Sequence, residues 1–155
     1  MKTPEHLIQK KNTKRKHLDS GISNYQLRHS NVYIVCPHCQ NCAIRIYELK
    51  RISCLHCGFV RSYEGINWLN EADIYPLWLQ TRVRGHSLWA YNEEHLTMLE
   101  SYISADLRTR TYPVSSDGWS NQSAVSRLPR WMTARHNRKP VLKALAALRQ
   151  SLPGS

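Results

Sequence analysis

CPHCQNC, residues 36–42, places three cysteines within seven residues, and CLHCG, residues 54–58, supplies the other two of the chain's five. The compartment decides how they are read. The start, MKTPEHLIQKKNTKRKHLDS, is polar and basic and lacks the apolar core of a secretory signal. No apolar run approaches the ~18 residues of a membrane span. The expected setting is therefore cytoplasmic, with no membrane partner, and there structural disulfides are rare. An odd cysteine count agrees, so two CxxC pairs read as a metal site.

The spacing favours zinc. Cys36 and Cys39 flank two residues, Cys54 and Cys57 flank two more, and fourteen residues separate the pairs. Each CxxC turn aims two thiolates at one ion, and two such knuckles complete a tetrahedron. Pro37 stiffens the first knuckle, and Gly58 can supply the positive φ that the second needs. A pairing of Cys39 with Cys42 is also a CxxC. The 36/39 pairing is preferred because Pro37 suits a knuckle and a longer hairpin results. Cys42 is then a small buried residue leaving the first knuckle. His38 and His56 sit inside the knuckles and are expected to be exposed. Four cysteines close the coordination shell, so one structural Zn2+ is expected rather than a catalytic ion with an open position. No HxE precedes the knuckles, as a deaminase-like zinc site would require.

VYIV (32–35), AIRIYEL (43–49) and FVRSY (59–63) read as strands, with Ile44 and Ile46 on one side of the middle strand and Arg45 and Tyr47 on the other. The set C36-PH-C39 with C54-LH-C57-G resembles a zinc ribbon, over roughly residues 31–65. The resemblance implies a small antiparallel β module held by one metal, of a kind that binds DNA, RNA or protein. PLWLQT (76–81) and LWAYNEEHL (88–96) further resemble a group of poorly characterised bacterial proteins described as having a transcription-factor-IIB-type zinc ribbon. That group is expected to carry a cysteine between the two LW segments. This chain has RVRGHS there, so no second metal knuckle is expected.

The charge is uneven. The net charge is +11, with +5 in residues 1–30, −2 in 31–106 and +8 in 107–155. KKNTKRK (10–16) has no helical stripe and reads as part of a disordered basic arm over 1–30. NEEHLTMLESYISADLRTR (92–110) reads as one amphipathic helix capped by Asn92, with Leu96, Leu99, Ile103 and Leu107 as its apolar stripe. Residues 121–128 suggest a short helix ended by Pro129, and Pro129 opens a turn holding Arg130, Trp131 and Arg135. Asn137 is a candidate cap for a last helix whose face is Leu142, Leu145, Leu148 and Leu152. Between ribbon and helices, IYPLWLQ and SLWAY suggest a hairpin around Arg84-Gly85-His86. Its tryptophans, Trp78 and Trp89, are expected in the core beside Trp68, and Trp131 likewise.

The expected architecture is thus α+β: a basic arm (1–30), a zinc ribbon (31–65), then a Trp-rich hairpin and a helical region (66–152). Three function classes follow. A non-catalytic nucleic-acid-binding protein, DNA or RNA, ranks first, with phosphate contacts from Lys10, Lys11, Lys14, Arg15 and Lys16 and from Arg127, Arg130, Arg135, Arg138 and Lys139. Location on a nucleoid or ribonucleoprotein would suit it. A protein-interaction adapter for a polymerase, ribosome or nuclease ranks second, because the middle is acidic. An enzyme ranks last, since the chain has no phosphate loop, GxSxG elbow, HExxH or paired-acid signature.

Overall fold

The computed structural model describes residues 14–63, 75–110 and 123–154. In chain order these form β1 (Lys16–Asp19), α1 (Asn24–Arg28), β2 (Val32–Val35), β3 (Cys42–Ile46), β4 (Arg51–Ser53) and β5 (Val60–Ser62). They continue through β6 (Leu79–Val83), β7 (His86–Ala90), α2 (Glu93–Ser104) and β8 (Leu107–Arg110). A 3-10 turn (Val125–Arg127), α3 (Arg130–Thr133), a second 3-10 turn (Arg135–Asn137) and α4 (Arg138–Gln150) end the fold, which is α+β.

The ribbon is a four-stranded antiparallel sheet ordered β2-β3-β4-β5. Its first strand lies where VYIV placed it. The second stops at Ile46, because a turn through Lys50 at φ 46° sends the chain back as β4, a strand the alternation did not reveal. β3 alternates as its sequence suggested, and its inner side is the one that carries Arg45. Ala43 and Arg45 are its buried residues, whereas Ile44 and Ile46 are half-buried. Arg45 can occupy an inner position because a guanidinium N–H donates to the Arg28 carbonyl at 2.6 Å, and a buried charge is tolerated when hydrogen-bonded. Val32, Ile34, Ala43, Ile52 and Tyr63 pack with Cys36 and Cys54 into one small core.

A second, larger core joins the β6–β7 hairpin to α2 and α4. Leu79, Leu88, Leu96, Leu99, Ile103, Val141, Leu145 and Leu148 fill it. The hairpin closes through Arg84 (φ 49°) and Gly85 (φ 83°), with Val83 opposite His86. Two positive φ values in a two-residue loop define a type I′ turn, whose twist matches that of the strands. On α4 the buried stripe is Val141, Leu145 and Leu148, continued by Leu152 just beyond the helix, with Leu142 only half-buried. Asn137 does not cap that helix. Its amide instead donates to the Trp131 carbonyl at 2.8 Å, and the 3-10 turn feeds directly into α4. Residues 123–128 hold the shorter 3-10 turn rather than a helix.

The tryptophans partly follow the core expectation. Trp78 is half-buried and its ring N–H donates to the Ser151 carbonyl at 2.7 Å. Trp131, also half-buried, stacks on His86 at 4.6 Å. Trp89 is 37% exposed, and Trp68 lies outside the described residues.

Two features depart furthest from the sequence reading. The helix starting at Asn92 ends at Ser104, and residues 107–110 become β8, which pairs in parallel with β1. Residues 14–30, expected as unstructured arm, accordingly contain a strand and a helix. A two-stranded parallel pair is weak by itself, and side chains reinforce this one. The Asp106 backbone N–H donates to the Arg15 carbonyl at 2.9 Å, and the Arg15 N–H donates to the Asp106 carboxylate at 3.1 Å. His17 Nδ1 meets the Ser101 hydroxyl at 2.8 Å, and the Ser123 hydroxyl donates to Asp19 at 2.7 Å. Burial holds the His17 imidazole below its usual pKa.

The two cores meet along the outer edge of β2. The Tyr33 N–H donates to the Tyr91 carbonyl at 2.8 Å, the Trp78 N–H to the Tyr33 carbonyl at 3.0 Å, and the Val35 N–H to the Pro76 carbonyl at 2.8 Å. An edge that would otherwise be open is thereby paired.

Candidate functional site

The four cysteines of the two CxxC turns converge. Cys36 Sγ lies 3.8 Å from Cys57 Sγ, and Cys39 Sγ lies 3.6 Å from Cys54 Sγ. All four sulfurs fall within 4.8 Å of one another. A tetrahedral ion with bonds of about 2.3 Å would hold its sulfurs about 3.8 Å apart. The donor set therefore fits one tetrahedral metal ion, and four thiolates suit Zn2+ among the divalent ions.

Local backbone chemistry builds each knuckle. The Cys36 N–H donates to the Asn41 carbonyl at 2.7 Å and the Gln40 N–H to the Cys36 carbonyl at 3.0 Å. The second knuckle repeats the pattern: Cys54 N–H to Phe59 carbonyl at 2.8 Å, Gly58 N–H to Cys54 carbonyl at 2.9 Å. The His38 N–H reaches Cys36 Sγ at 3.4 Å, and the Asn41 amide reaches Cys39 Sγ at 3.7 Å. Such donors orient the sulfurs and favour their thiolate forms.

The thiols do not ionise alike. Hydrogen bonding from the Asn41 backbone pulls Cys39 down to about 6. At Cys57 the Phe59 backbone N–H favours the thiolate, but desolvation and the neighbouring thiols of Cys39, Cys54 and Cys36 outweigh it and push the group up to about 12. Four sulfurs this close repel as anions, and a divalent cation is what allows all of them to be thiolates. Cys42 lies outside the cluster at the start of β3, half-buried, and desolvation pushes its thiol up to about 11. His38 and His56 are exposed and also outside the cluster.

The candidate phosphate-binding cations divide into groups. Lys10 and Lys11 lie outside the described residues. Lys14, Arg15 and Lys16 are exposed at the start of β1. Arg127, Arg130 and Arg135 are exposed on the 3-10 turns and the short α3, and Lys139 is exposed in the first turn of α4. Arg138 is different. Its guanidinium donates to the Ile103 carbonyl at 2.8 Å and to the Ala105 carbonyl, and it pairs with Asp106 at 3.6 Å. It satisfies the carboxyl end of α2, where a cation is favoured.

Asp106 also pairs with Arg15 at 3.9 Å. One carboxylate thus holds a cation from the N-terminal basic run and one from the C-terminal run, residues far apart in sequence. Sequence reasoning missed this junction, and it missed Arg108, whose Nε donates to the Tyr102 carbonyl at 3.1 Å while its guanidinium sits 4.3 Å from the Tyr102 ring centre. No helix among the described residues is long and apolar enough to cross a membrane. A four-cysteine cluster on an antiparallel sheet, consistent with a zinc ribbon, carries the likeness noted above, and no family model, curated protein or solved structure matches the chain.

Proposed function

We propose that this chain is a non-catalytic nucleic-acid-binding protein in which one structural Zn2+ organises the ribbon and the basic ends supply phosphate contacts. The observation that carries the reading is the Asp106 junction, which holds Arg15 beside Arg138 and so brings the two basic runs together. Lys14, Lys16, Arg130, Arg135 and Lys139 are exposed cations of the same two runs. Guanidinium and ammonium groups on short turns suit phosphate oxygens and carry little base information, so binding to DNA or RNA of any sequence is expected. A cytoplasmic location, on nucleoid or ribonucleoprotein, accords with that role.

A second reading has its own support. Leu55 at the tip of the second knuckle is 87% exposed and Val60 on β5 is 56% exposed, apolar surface that suits an adapter docking on a larger nucleic-acid machine.

Anisotropy titrations of a labelled 20-nucleotide single strand and a duplex, between low and physiological salt, decide between them. Five phosphate contacts on the duplex give a slope of log affinity against log salt of about −4 to −5. Charge reversal at Arg130 and Arg135 makes it shallower. Negligible binding at low salt to both probes sinks the nucleic-acid reading and leaves the adapter.

A further inference from the structure

Between the end of α2, β8 and the 130–138 segment lies a cavity of about 430 Å3. Arg108, Arg135 and Arg138 line it, each from a different element, with Asp106 as the single acid among the described lining residues and Ile103 and Met132 as apolar wall. We propose that this cavity is a site for a phosphate monoester on a nucleoside, meaning the phosphorylated end of a nucleic-acid strand or a free mononucleotide. The proposal rests on the nucleic-acid reading only for the first of those two sources.

Three features lead to it. The described lining residues carry a formal charge of +2, three arginines against Asp106. That charge matches a monoester, which approaches −2 near neutral pH, better than the single charge of a backbone diester. Asp106 is moreover shared with Arg15, so it offsets Arg138 only in part. Next, two of the three guanidinium groups are already fixed. Arg138 is held by the Ile103 and Ala105 carbonyls, and Arg108 by the Tyr102 carbonyl through Nε. Among the described residues the terminal nitrogens of Arg108 make no hydrogen bond, and neither does the Arg135 guanidinium, whose residue is held only through its carbonyl, which accepts the Arg138 N–H. Planar forks with free donors are the groups that recognise phosphate in pairs. Finally, the cavity is larger than a phosphate requires, and its wall of Ile103 and Met132 gives a sugar or base an apolar surface beside the charged rim.

The test uses one internally labelled 12-nucleotide strand in three forms: 5′-phosphorylated, 3′-phosphorylated, and with hydroxyls at both ends. A charged hydrogen-bonded contact is worth on the order of 10-fold in affinity, so one phosphorylated form should bind about 10-fold more tightly than the hydroxyl form. Arg135→Gln, at an exposed residue whose side chain has no hydrogen-bond partner among the described residues, should abolish that preference. AMP should compete the preference away. AMP binding measured by calorimetry without strand binding supports the cavity with a free nucleotide as its source and sinks the nucleic-acid reading. Equal affinity for the three strands with no AMP binding overturns the cavity and leaves the nucleic-acid reading standing. Binding of neither AMP nor any strand overturns both.

Discussion

Each knuckle places one residue in the left-handed backbone region, and the two do so differently. Gly58 sits at φ 76°, where glycine loses nothing, while Gln40 adopts φ 63° at the matching place in the first knuckle. A Cβ added at Gly58 meets no atom within 4 Å, so Gly58→Ala isolates the backbone cost. That cost is about 1–2 kcal/mol, and it should appear as zinc affinity reduced on the order of 10-fold in a chelator competition, since folding and metal binding are coupled in small metal modules. His95 offers a second single-residue test. It is buried on α2 with Nδ1 accepting the Tyr91 N–H at 3.2 Å, and burial lowers its pKa to about 4. An unfolded histidine titrates near 6.5, so the unfolded chain binds the proton first and stability falls as pH drops from about 6.5 towards 4. The contribution is on the order of 3 kcal/mol across that window. Melting curves at pH 7 and pH 5 should show a smaller pH-dependent loss for His95→Gln than for the parent, and equal losses would remove His95 from the account. The metal cysteines were readable because a CxxC turn fixes its own geometry. His95 was not, because nothing local distinguishes a buried histidine from an exposed one on a helix.

Elements were legible where local chemistry sets them and obscure where distant pairing does. The start of α2 is written in Asn92 followed by two glutamates. Its end is not, because what stops it is the pairing of 107–110 with β1, some ninety residues earlier in the chain. Likewise β4 is three residues between two turns, too short for alternation to show. Asn92 does more than cap. Its side-chain oxygen accepts the His95 N–H at 2.9 Å, while its amide donates to the Ser30 hydroxyl and the Asn31 carbonyl, each at 2.8 Å. One residue thus closes α2 and ties it to the chain entering β2. Asn92→Ala removes a cap worth about 1 kcal/mol and two further hydrogen bonds worth about 1 kcal/mol each, a loss of about 2–4 kcal/mol in urea unfolding. Asn92→Asp keeps the acceptor and loses the donors, so it should fall between the parent and the alanine variant. If the aspartate variant matches the parent, the tie to Ser30 and Asn31 carries no weight.

At the scale of the whole chain, the fold is two cores joined by a backbone seam and by Asn92. The ribbon core contains a handful of apolar side chains and two of the four clustered cysteines. The larger core is self-sufficient in apolar contacts, and Arg149 staples α4 to α2 through Glu100 at 2.7 Å and Glu93 at 3.4 Å. Small β modules seldom fold on apolar burial alone, and the free energy of binding one metal ion at the four cysteines would supply the difference. Removal of the metal should therefore act unevenly. Elemental analysis of the purified protein should give one zinc per chain. After chelation, amide exchange should accelerate across β2 to β5, residues 32–62, while residues 96–103 and 141–148 stay slow. The seam itself should loosen at Tyr33 and Val35, whose N–H groups belong to the ribbon strand, and readdition of zinc should restore slow exchange there. Uniform acceleration throughout would show that the two cores fold as one cooperative unit. Unchanged exchange after complete loss of zinc would show that the four cysteines hold no structural ion.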